Sequence, residues 1–427
     1  MDSIYSIPEN LQRFEKEDKV ILINPEVPAW IVTNSLGEAI FNLFDGQNSL
    51  GEVIRIATDG LGPDFKDYVT KFCSYVVSSR IFETPDIEAK HRYELHLIHL
   101  MLSEKCNLKC KYCYAEDRDK ATVPSLTYEE YTDIIDQILA INRYSSFTLT
   151  GGEPLLNPDW SRIAEYIRQK GNECILLTNG LLINEENIGD IKKYCTKVTL
   201  SVDGSNAEVH AQTRGDNYQK LMASIGLLED NGVEYSLSMT VCQSNIYDVE
   251  NAARRFGNRL NFQPLFPTSG SRQNDLSLTG REYYSALKSA AGVNPLSYCE
   301  SALEGSQSEK CLKCAMGDGE ISISCTGDVY PCQLLHFPEF LAGNVRQSSI
   351  RDIYLNSPVL QRCAHLSVND IEGCKSCAFK YICGGACRAR AYYETKDIMQ
   401  SGNFCEYEKS AFIDGIIALY SNNLLEA

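Results

Sequence analysis

The stretch that decides the fold is Ser103-Glu-Lys-Cys106-Asn-Leu-Lys-Cys110-Lys-Tyr-Cys113-Tyr114. It directly follows residues 94–102, a largely apolar segment that we predict to be a strand. Three thiolates at the spacing C-x3-C-x2-C can wrap one loop around a cubane iron–sulfur cluster, because soft thiolates are the usual ligands of such clusters. The motif offers three cysteines rather than four. One iron would therefore keep an open position, which is where a reactant binds.

Strand-like and helix-like segments alternate beyond this motif. We predict further strands at 147–150, 174–178, 197–202, 235–241 and 260–265. We predict helices at 128–141, 160–169, 185–193, 218–231 and 246–256. Such alternation is typical of an α/β fold with a parallel sheet or barrel, whose site residues lie at the carboxyl ends of the strands. Six strands are too few for a closed eight-stranded barrel. We therefore expect an open partial (β/α)6 barrel of the TIM type over residues 94–285.

Residues 1–90 predict a separate small α+β domain. Strands are expected at 19–24 and 29–33, and helices at 35–44, 49–58 and 65–79. Ser35 and Ser49 are plausible N-caps. Residues 45–48 and 60–63 carry the Gly, Asn, Asp and Pro chemistry of turns.

Composition excludes several function classes. The chain has 427 residues and a formal net charge of -17, which argues against a broad nucleic-acid footprint or an anionic membrane surface as partner. No apolar run is long enough to span a bilayer, and the first residues do not resemble a signal peptide, so we expect a cytoplasmic protein. Eighteen cysteines are then too many for disulfides and indicate metal binding.

The cysteine motif resembles that of the radical S-adenosylmethionine (SAM) superfamily, C-x3-C-x-aromatic-C, with Tyr112 in the aromatic slot. The resemblance implies that Cys106, Cys110 and Cys113 hold a four-iron cluster. In that family the amino and carboxylate groups of SAM bind the open iron, and one electron splits the sulfonium into methionine and a 5′-deoxyadenosyl radical. A structural zinc loop is the alternative, and the motifs that follow argue against it.

Further motifs follow the next three predicted strands. Thr150-Gly-Gly-Glu-Pro154 resembles the family's GGEP motif. The resemblance implies that Gly151 and Gly152 allow close backbone approach and that Glu153 faces the amino group of SAM. Short polar residues near the other strand ends would hydrogen-bond the ribose, and Arg214 would pair with the methionine carboxylate. Those polar residues are Asn179, Ser201 and Asp203. Ordinary βα-loop turns are the alternative for each, and for Arg214 the two readings stay open.

The C-terminal residues, 290–427, are rich in cysteine and resemble the SPASM extension, a domain that carries two auxiliary iron–sulfur clusters. The resemblance implies an inner cluster held by Cys314, Cys332 and Cys387, and an outer cluster held by Cys374, Cys377, Cys383 and Cys405. Cys311 is our candidate for a fourth inner ligand, with Cys299 as competitor, unless that iron stays open. Six other cysteines are expected to be core residues or spectators: Cys73, Cys174, Cys195, Cys242, Cys325 and Cys363. Glu320 and Asp328 are expected to be solvated loop residues.

The first domain resembles the winged-helix-like domains that recognise leader peptides. An exposed sheet edge there could accept a peptide as an added strand; a structural cap on the barrel is the alternative. Together the resemblances imply an enzyme that modifies a ribosomally made precursor peptide with SAM, three four-iron clusters and an external reductant such as flavodoxin or ferredoxin. Thioether formation is the first hypothesis. The alternatives are a carbon–carbon crosslink, an epimerisation, or oxidation to formylglycine as in sulfatase maturation.

Overall fold

The computed structural model describes residues 2–84, 94–117, 123–290, 293, 302–303 and 310–424. Its N-terminal unit contains two small antiparallel sheets. Their strands are β1 (Ile4–Ser6), β2 (Gln12–Lys16), β3 (Lys19–Asn24), β4 (Ala29–Thr33) and β5 (Asp45–Ser49). β1 pairs with β5, and the other three lie in the order β2-β3-β4. Three helices cover them: α1 (Ser35–Phe41), α2 (Leu50–Leu61) and α3 (Lys66–Ser78). Within the described residues, β4 therefore has a strand neighbour on one side only.

Side-chain caps mark where α1 and α2 begin. Ser49 caps α2 as predicted, and Glu52 completes a capping box with it. The prediction for Ser35 was wrong, because Asn34 is the N-cap of α1 and its side chain accepts a hydrogen bond from the Gly37 N–H at 3.0 Å. Residues 45–48 do have turn chemistry, since Asp45 accepts from two following N–H groups. They nevertheless pair with β1 as a strand, which the sequence did not predict.

The central sheet confirms the predicted partial barrel. Six parallel strands follow one another in space as they do in sequence: β6 (Leu97–Ser103), β7 (Ser146–Gly151), β8 (Cys174–Thr178), β9 (Lys197–Ser201), β10 (Tyr235–Val241) and β11 (Leu260–Pro264). The sheet then continues past β6 into the C-terminal region through β12 (Glu320–Ile323), β13 (Asp328–Tyr330) and β14 (Gly343–Asn344). β12 is parallel to β6, and the last two strands are antiparallel. This nine-stranded sheet was not predicted.

Helices follow these strands along the chain, and most of them pack against one face of the sheet. They are α4 (Tyr128–Ile141), α5 (Trp160–Gln169), α6 (Ile188–Tyr194), α7 (Ala207–Arg214), α8 (Tyr218–Asp230), α9 (Val249–Phe256), α10 (Ser269–Gln273) and α11 (Gly280–Ser289). Ile98, Leu100 and Leu102 alternate along β6 and belong to one core cluster with the apolar side of α4. Because successive strand residues face opposite sides, His99 and Met101 face away from these helices. No described helix is long and apolar enough to cross a membrane.

The C-terminal region packs against the N-terminal unit. Its helices are α12 (Ile350–Asn356), α13 (Pro358–Ala364), α14 (Lys380–Cys383), α15 (Arg388–Thr395) and α16 (Cys405–Leu424). The Gln12 side chain donates to the backbone oxygen of Ser376 at 2.7 Å, and the rings of Phe14 and Phe379 lie 5.4 Å apart. Ile21, Ile23 and Val32 share the core cluster of the barrel. The N-terminal unit is therefore fixed to the rest of the molecule by apolar packing as well as by polar contacts.

Candidate active site and cysteine groups

The cysteine loop, residues 103–114, lies at the carboxyl end of β6, against the loop that follows β7. Gly152 N–H donates to Ser103 O at 2.7 Å, and Glu153 N–H donates to Lys105 O at 2.9 Å. A Cβ on Gly151 would lie 2.4 Å from Ser103 O, and one on Gly152 would lie 2.4 Å from Lys105 O. Gly151 also has a φ of +136°, which favours glycine. The two glycines thus allow the loop after β7 to contact the backbone of the cysteine loop.

Glu153 is fully buried and organises two loops. Its carboxylate accepts from Leu155 N–H, Thr178 Oγ1 and Asn179 N–H at 3.1, 2.7 and 2.9 Å. Burial raises its pKa, and these hydrogen bonds oppose the rise. Asn179 in turn donates to Asn107 Oδ1 at 2.7 Å. The structure therefore joins Glu153 and Asn179 to the cysteine loop, while contact of Glu153 with an amino group of SAM stays a prediction.

A second buried network connects Tyr112, Asp203 and Arg214. Tyr112 donates to Asp203 Oδ2 at 2.5 Å, and Arg214 Nη2 donates to the Tyr112 hydroxyl at 2.7 Å. Arg214 Nε lies 2.9 Å from Asp203 Oδ2, although it is not aligned to donate a hydrogen bond. Burial lowers the pKa of Arg214, but Asp203, Tyr112 and Cys110 together raise it more, so the net shift is upward and the guanidinium stays charged. Ser201 ends β9 at the same sheet edge, and its hydroxyl makes no hydrogen bond with the described residues.

N–H donors point at two of the three sulfurs of this loop. Leu108 N–H and Asn179 Nδ2 point at Cys106 Sγ from 3.4 and 3.8 Å, and Arg214 Nη1 points at Cys110 Sγ from 3.6 Å. Burial raises the pKa of both thiols, and the Arg214 charge lowers that of Cys110. Donors and a cation suit thiolates that ligate iron. The residues present therefore fit an iron–sulfur cluster.

Among the described residues, no three His, Cys, Asp or Glu side chains converge on a position for a single metal ion. A cubane cluster binds each thiolate through a different iron, so its ligands need not converge on one point.

The C-terminal cysteines form two groups of neighbouring thiols. Burial raises the pKa of Cys332 well above its usual value, and Cys387 and Cys314 lie near enough to raise it further. Leu334 N–H donates to Cys332 Sγ at 3.5 Å. In the other group, burial raises the pKa of Cys383, and its neighbours, Glu408 and three thiols, add to the rise; these thiols belong to Cys405, Cys377 and Cys374. Each group has the membership that the sequence predicts for one auxiliary cluster, and ligation by these residues stays a prediction.

The remaining cysteines lie outside these two groups. Cys311 packs against the glycine between the two groups, since a Cβ on Gly384 would lie 2.4 Å from Cys311 Sγ. Cys299 lies outside the described residues, so the choice of a fourth inner ligand is untested. The six cysteines expected in cores are all buried, as predicted: Cys73, Cys174, Cys195, Cys242, Cys325 and Cys363.

The sheet contains a polar pair that the sequence analysis did not predict, His99 and Glu320. His99 Nε2 lies 3.2 Å from Glu320 Oε1, and His99 Nδ1 is buried without a hydrogen-bond partner. Burial raises the pKa of Glu320, but hydrogen bonds with His99 and Cys332 hold it below its usual value. The prediction of solvated loop residues was therefore wrong for Glu320, which begins β12, and for Asp328, which begins β13 and accepts from Asn344 Nδ2 at 2.8 Å. A histidine in the middle of an apolar strand was the available signal.

The N-terminal unit has a cavity of about 1030 Å³ between β4 and α3, and the end of α16 reaches it. Aromatic residues line much of it: Trp30, Tyr68, Phe72, Tyr75 and Tyr420. Three cationic residues, Lys19, Lys71 and Arg80, and one acidic residue, Asp18, lie around it. The cavity is thus largely aromatic with a positive rim, in a chain whose net charge is -17.

Comparisons with known proteins match two separate parts of the chain. Residues 100–256 match the radical SAM superfamily, and residues 314–378 match the SPASM iron–sulfur cluster-binding domain. The AdoMet-dependent heme synthase of Methanosarcina barkeri is 27% identical over 73% of this chain and 96% of its own length. The antilisterial bacteriocin subtilosin biosynthesis protein AlbA of Bacillus subtilis is 26% identical over 74% of this chain and 72% of its own.

The solved structure of native anSMEcpe with bound AdoMet has the same fold, with a TM-score of 0.64 at 22% identity, over 76% of this chain and 98% of that one. The radical SAM domain implies SAM and a four-iron cluster, and the SPASM domain implies additional iron–sulfur clusters.

Proposed function

From a chain that joins a radical SAM domain to a SPASM domain, we propose an enzyme that forms a thioether in a ribosomally made precursor peptide. The bond would link a cysteine sulfur of the peptide to a carbon of another residue. The N-terminal unit would hold the leader of that peptide. The main support for a peptide substrate is strand β4. Within the described residues it has a strand neighbour on one side only, and it borders a cavity large enough for several side chains.

The relatives support two substrate classes. AlbA is named for biosynthesis of the bacteriocin subtilosin, and the Methanosarcina barkeri relative is named for heme synthesis. A free strand edge offers backbone groups in a row, which a peptide matches and a tetrapyrrole does not. This edge favours the peptide class for the present chain.

Each part of the chain has a role in this proposal. Cys106, Cys110 and Cys113 would hold the first cluster, and the two C-terminal groups would hold one cluster each, making three. When bound, these clusters and SAM supply a hydrogen-abstracting radical and an acceptor for one electron. Glu153 and Asn179 hold the loop after β8 against the cysteine loop, and Asp203 and Arg214 hold α7 against it. These buried contacts would position SAM and exclude water around it.

The electron count favours thioether formation. Removal of a hydrogen atom from the substrate carbon leaves a carbon radical, and the cysteine thiol loses a proton. Joining the sulfur to that carbon leaves one surplus electron, which an acceptor in the same chain can take. An epimerisation returns a hydrogen atom and has no net electron to remove. It would therefore not need the two C-terminal cysteine groups as an electron acceptor.

The product itself tests the proposal. The anaerobically reconstituted enzyme would be incubated with SAM, dithionite and the cysteine-containing peptides encoded by short reading frames beside its gene. We expect a product that has lost two hydrogens and has one fewer cysteine that iodoacetamide can alkylate, with the bond located by tandem mass spectrometry. The matched control is the Cys106→Ala enzyme, which should leave the peptide unchanged.

Two results would contradict the thioether. Loss of two hydrogens with every cysteine still alkylatable would indicate a carbon–carbon crosslink. Turnover of iron-coproporphyrin, run as a parallel substrate, with no change in any peptide would place the enzyme with the tetrapyrrole class.

A further inference from the structure

The free edge of β4 has a defined register. β3 and β4 are antiparallel, with Leu22 opposite Ile31 and Ile21 opposite Val32. In such a ladder alternate residues bond the partner strand and the others direct their N–H and C=O outward. The Val32 N–H is directed away from β3, because its hydrogen-bond acceptor is the hydroxyl of Tyr75 at 3.0 Å. Trp30, two residues earlier, belongs to the same outward set.

The Tyr75 hydroxyl lies where a backbone carbonyl of an added strand would lie. Tyr75 lies on α3, across the cavity from β4, and its ring centroid is 6.1 Å from that of Tyr420 on α16. Its hydroxyl oxygen accepts the hydrogen bond that the carbonyl of an added strand would accept from Val32. The hydroxyl thus satisfies an edge N–H that would otherwise be partly buried without a partner.

The charges around the cavity select the ligand. Lys19 and Lys71 form no ion pair within the part of the chain that the structure describes, whereas Arg80 pairs with Glu83 at 2.8 Å. Asp18 is the one acidic residue of the lining. Two unpaired cations beside an aromatic wall favour a segment that carries both acidic and apolar side chains.

We propose that this cavity takes an extended, acidic segment of the leader, and that a backbone carbonyl of this segment replaces the Tyr75 hydroxyl on the Val32 N–H. The inference rests on the proposed leader-binding function and names the chemistry of its ligand. Tyr75 is then a specificity-determining residue, because only a ligand with a backbone carbonyl at that position can displace its hydroxyl from the Val32 N–H. A ligand without a backbone carbonyl at that position leaves Tyr75 in place.

The test uses the full-length holoenzyme and a phage-displayed library of random 16-residue peptides. We expect the selected peptides to be rich in Asp and Glu with an aromatic or aliphatic residue, and to slow hydrogen exchange of residues 29–33. Tyr75→Phe should bind a fluorescent version of the best peptide about tenfold more tightly, because the variant removes the competing hydrogen bond. Lys71→Glu should weaken binding of the same peptide at least tenfold, and added salt should reduce that difference.

Two matched variants serve as controls. Tyr68→Phe removes another hydroxyl from the same cavity, one that makes no hydrogen bond with the described residues, and should leave binding unchanged. Lys66→Glu changes an exposed charge on the same helix outside the cavity lining and should also have little effect. Equal melting temperatures would show that all variants are folded.

The outcomes separate this inference from the leader-binding function. If peptides bind but Tyr75→Phe binds them equally or more weakly, the carbonyl exchange is wrong while leader binding stands. Selected peptides without acidic residues, or full binding to Lys71→Glu, would overturn the acidic ligand. Failure of every peptide to protect residues 29–33 would contradict the leader-binding function itself.

Discussion

Gly152 controls the position of the cysteine loop. Its Cα lies against the backbone of Glu104 and Lys105, so a methyl group there would overlap three backbone atoms. We expect Gly152→Ala to displace the loop, to reduce reductive cleavage of SAM at least tenfold, and to lower the free energy of unfolding by about 1–3 kcal/mol, as overpacking does. Cleavage is measured by chromatography of 5′-deoxyadenosine.

Gly226→Ala is the control for this prediction. Gly226 lies within α8, and a Cβ there meets nothing within 4 Å. Alanine should leave activity unchanged and stabilise the protein by about 0.4–1 kcal/mol. Equal activity of both alanine variants would mean that the loop contact does not position the cluster.

The sequence predicts candidate site residues individually, but it does not predict which of them contact one another. The cysteines and the residues at strand ends could be found because spacing and position along the chain mark them. The pairing of Tyr112 with Asp203 could not, since 91 residues separate them and no local pattern records the contact. His99 was missed for a related reason. Its polar contact in the sheet is with Glu320, which follows far along the chain.

At the scale of elements, α16 connects distant parts of the molecule. It begins at Cys405, a predicted cluster ligand, and Leu419 and Tyr420 near its other end line the N-terminal cavity. Between them Asp414 accepts from Lys16 of β2 and from Lys288 and Tyr284 of α11. A single carboxylate therefore ties this helix to both the N-terminal unit and the barrel.

Asp414→Asn should destabilise the protein in a pH-dependent way. Burial raises the pKa of Asp414, but hydrogen bonds from Lys16, Lys288 and Tyr284 lower it more, so the net shift is downward. A lowered pKa in the folded state gives stability that is present above the unfolded value of about 3.9 and is lost as the pH falls through the folded value. We expect the variant to lose roughly 2 kcal/mol at pH 7. The loss should shrink below about pH 4, as measured by urea unfolding at each pH.

A matched exposed carboxylate completes this experiment. Asp230 lies at the end of α8 and is exposed, so Asp230→Asn should change stability by less than about 0.5 kcal/mol. A loss for Asp414→Asn that stayed constant from pH 7 to pH 3 would exclude the ionised carboxylate as its cause.

Elements with strong periodicity were predictable, and short polar ones were not. The six barrel strands were found because apolar runs between helices mark buried parallel strands. The edge strands β1, β2 and β5 consist mostly of polar residues. They form because of tertiary contacts, so the sequence pattern did not predict them. β12 was hidden in the same way by its position in a cysteine-rich region.

At the scale of the whole molecule, three groups of thiols predict the iron content. If each holds a four-iron cluster, the anaerobically reconstituted protein should contain about twelve irons per chain. Replacing Cys106, Cys110 and Cys113 together by Ala should leave about eight irons and abolish SAM cleavage. The measurement is iron per chain together with the visible absorption spectrum.

The control is replacement of three buried cysteines outside the groups, Cys73, Cys174 and Cys363, by Ser. This variant should keep its full iron content even if it is less stable, since all three are core residues. Iron that fell to zero in the first variant would contradict three independent sites.

The strand β12 makes the barrel and the C-terminal region parts of one hydrogen-bonded sheet, because it fills the side of β6 that would otherwise be an open edge. The two regions are therefore poor candidates for exchange as modules between enzymes. A chain cut after residue 290 would expose β6, a long and apolar strand, and should self-associate rather than remain monomeric. Grafting a foreign C-terminal region would require a strand that fits the register of Leu97–Ser103, so this interface limits which domain combinations such a scaffold can accept.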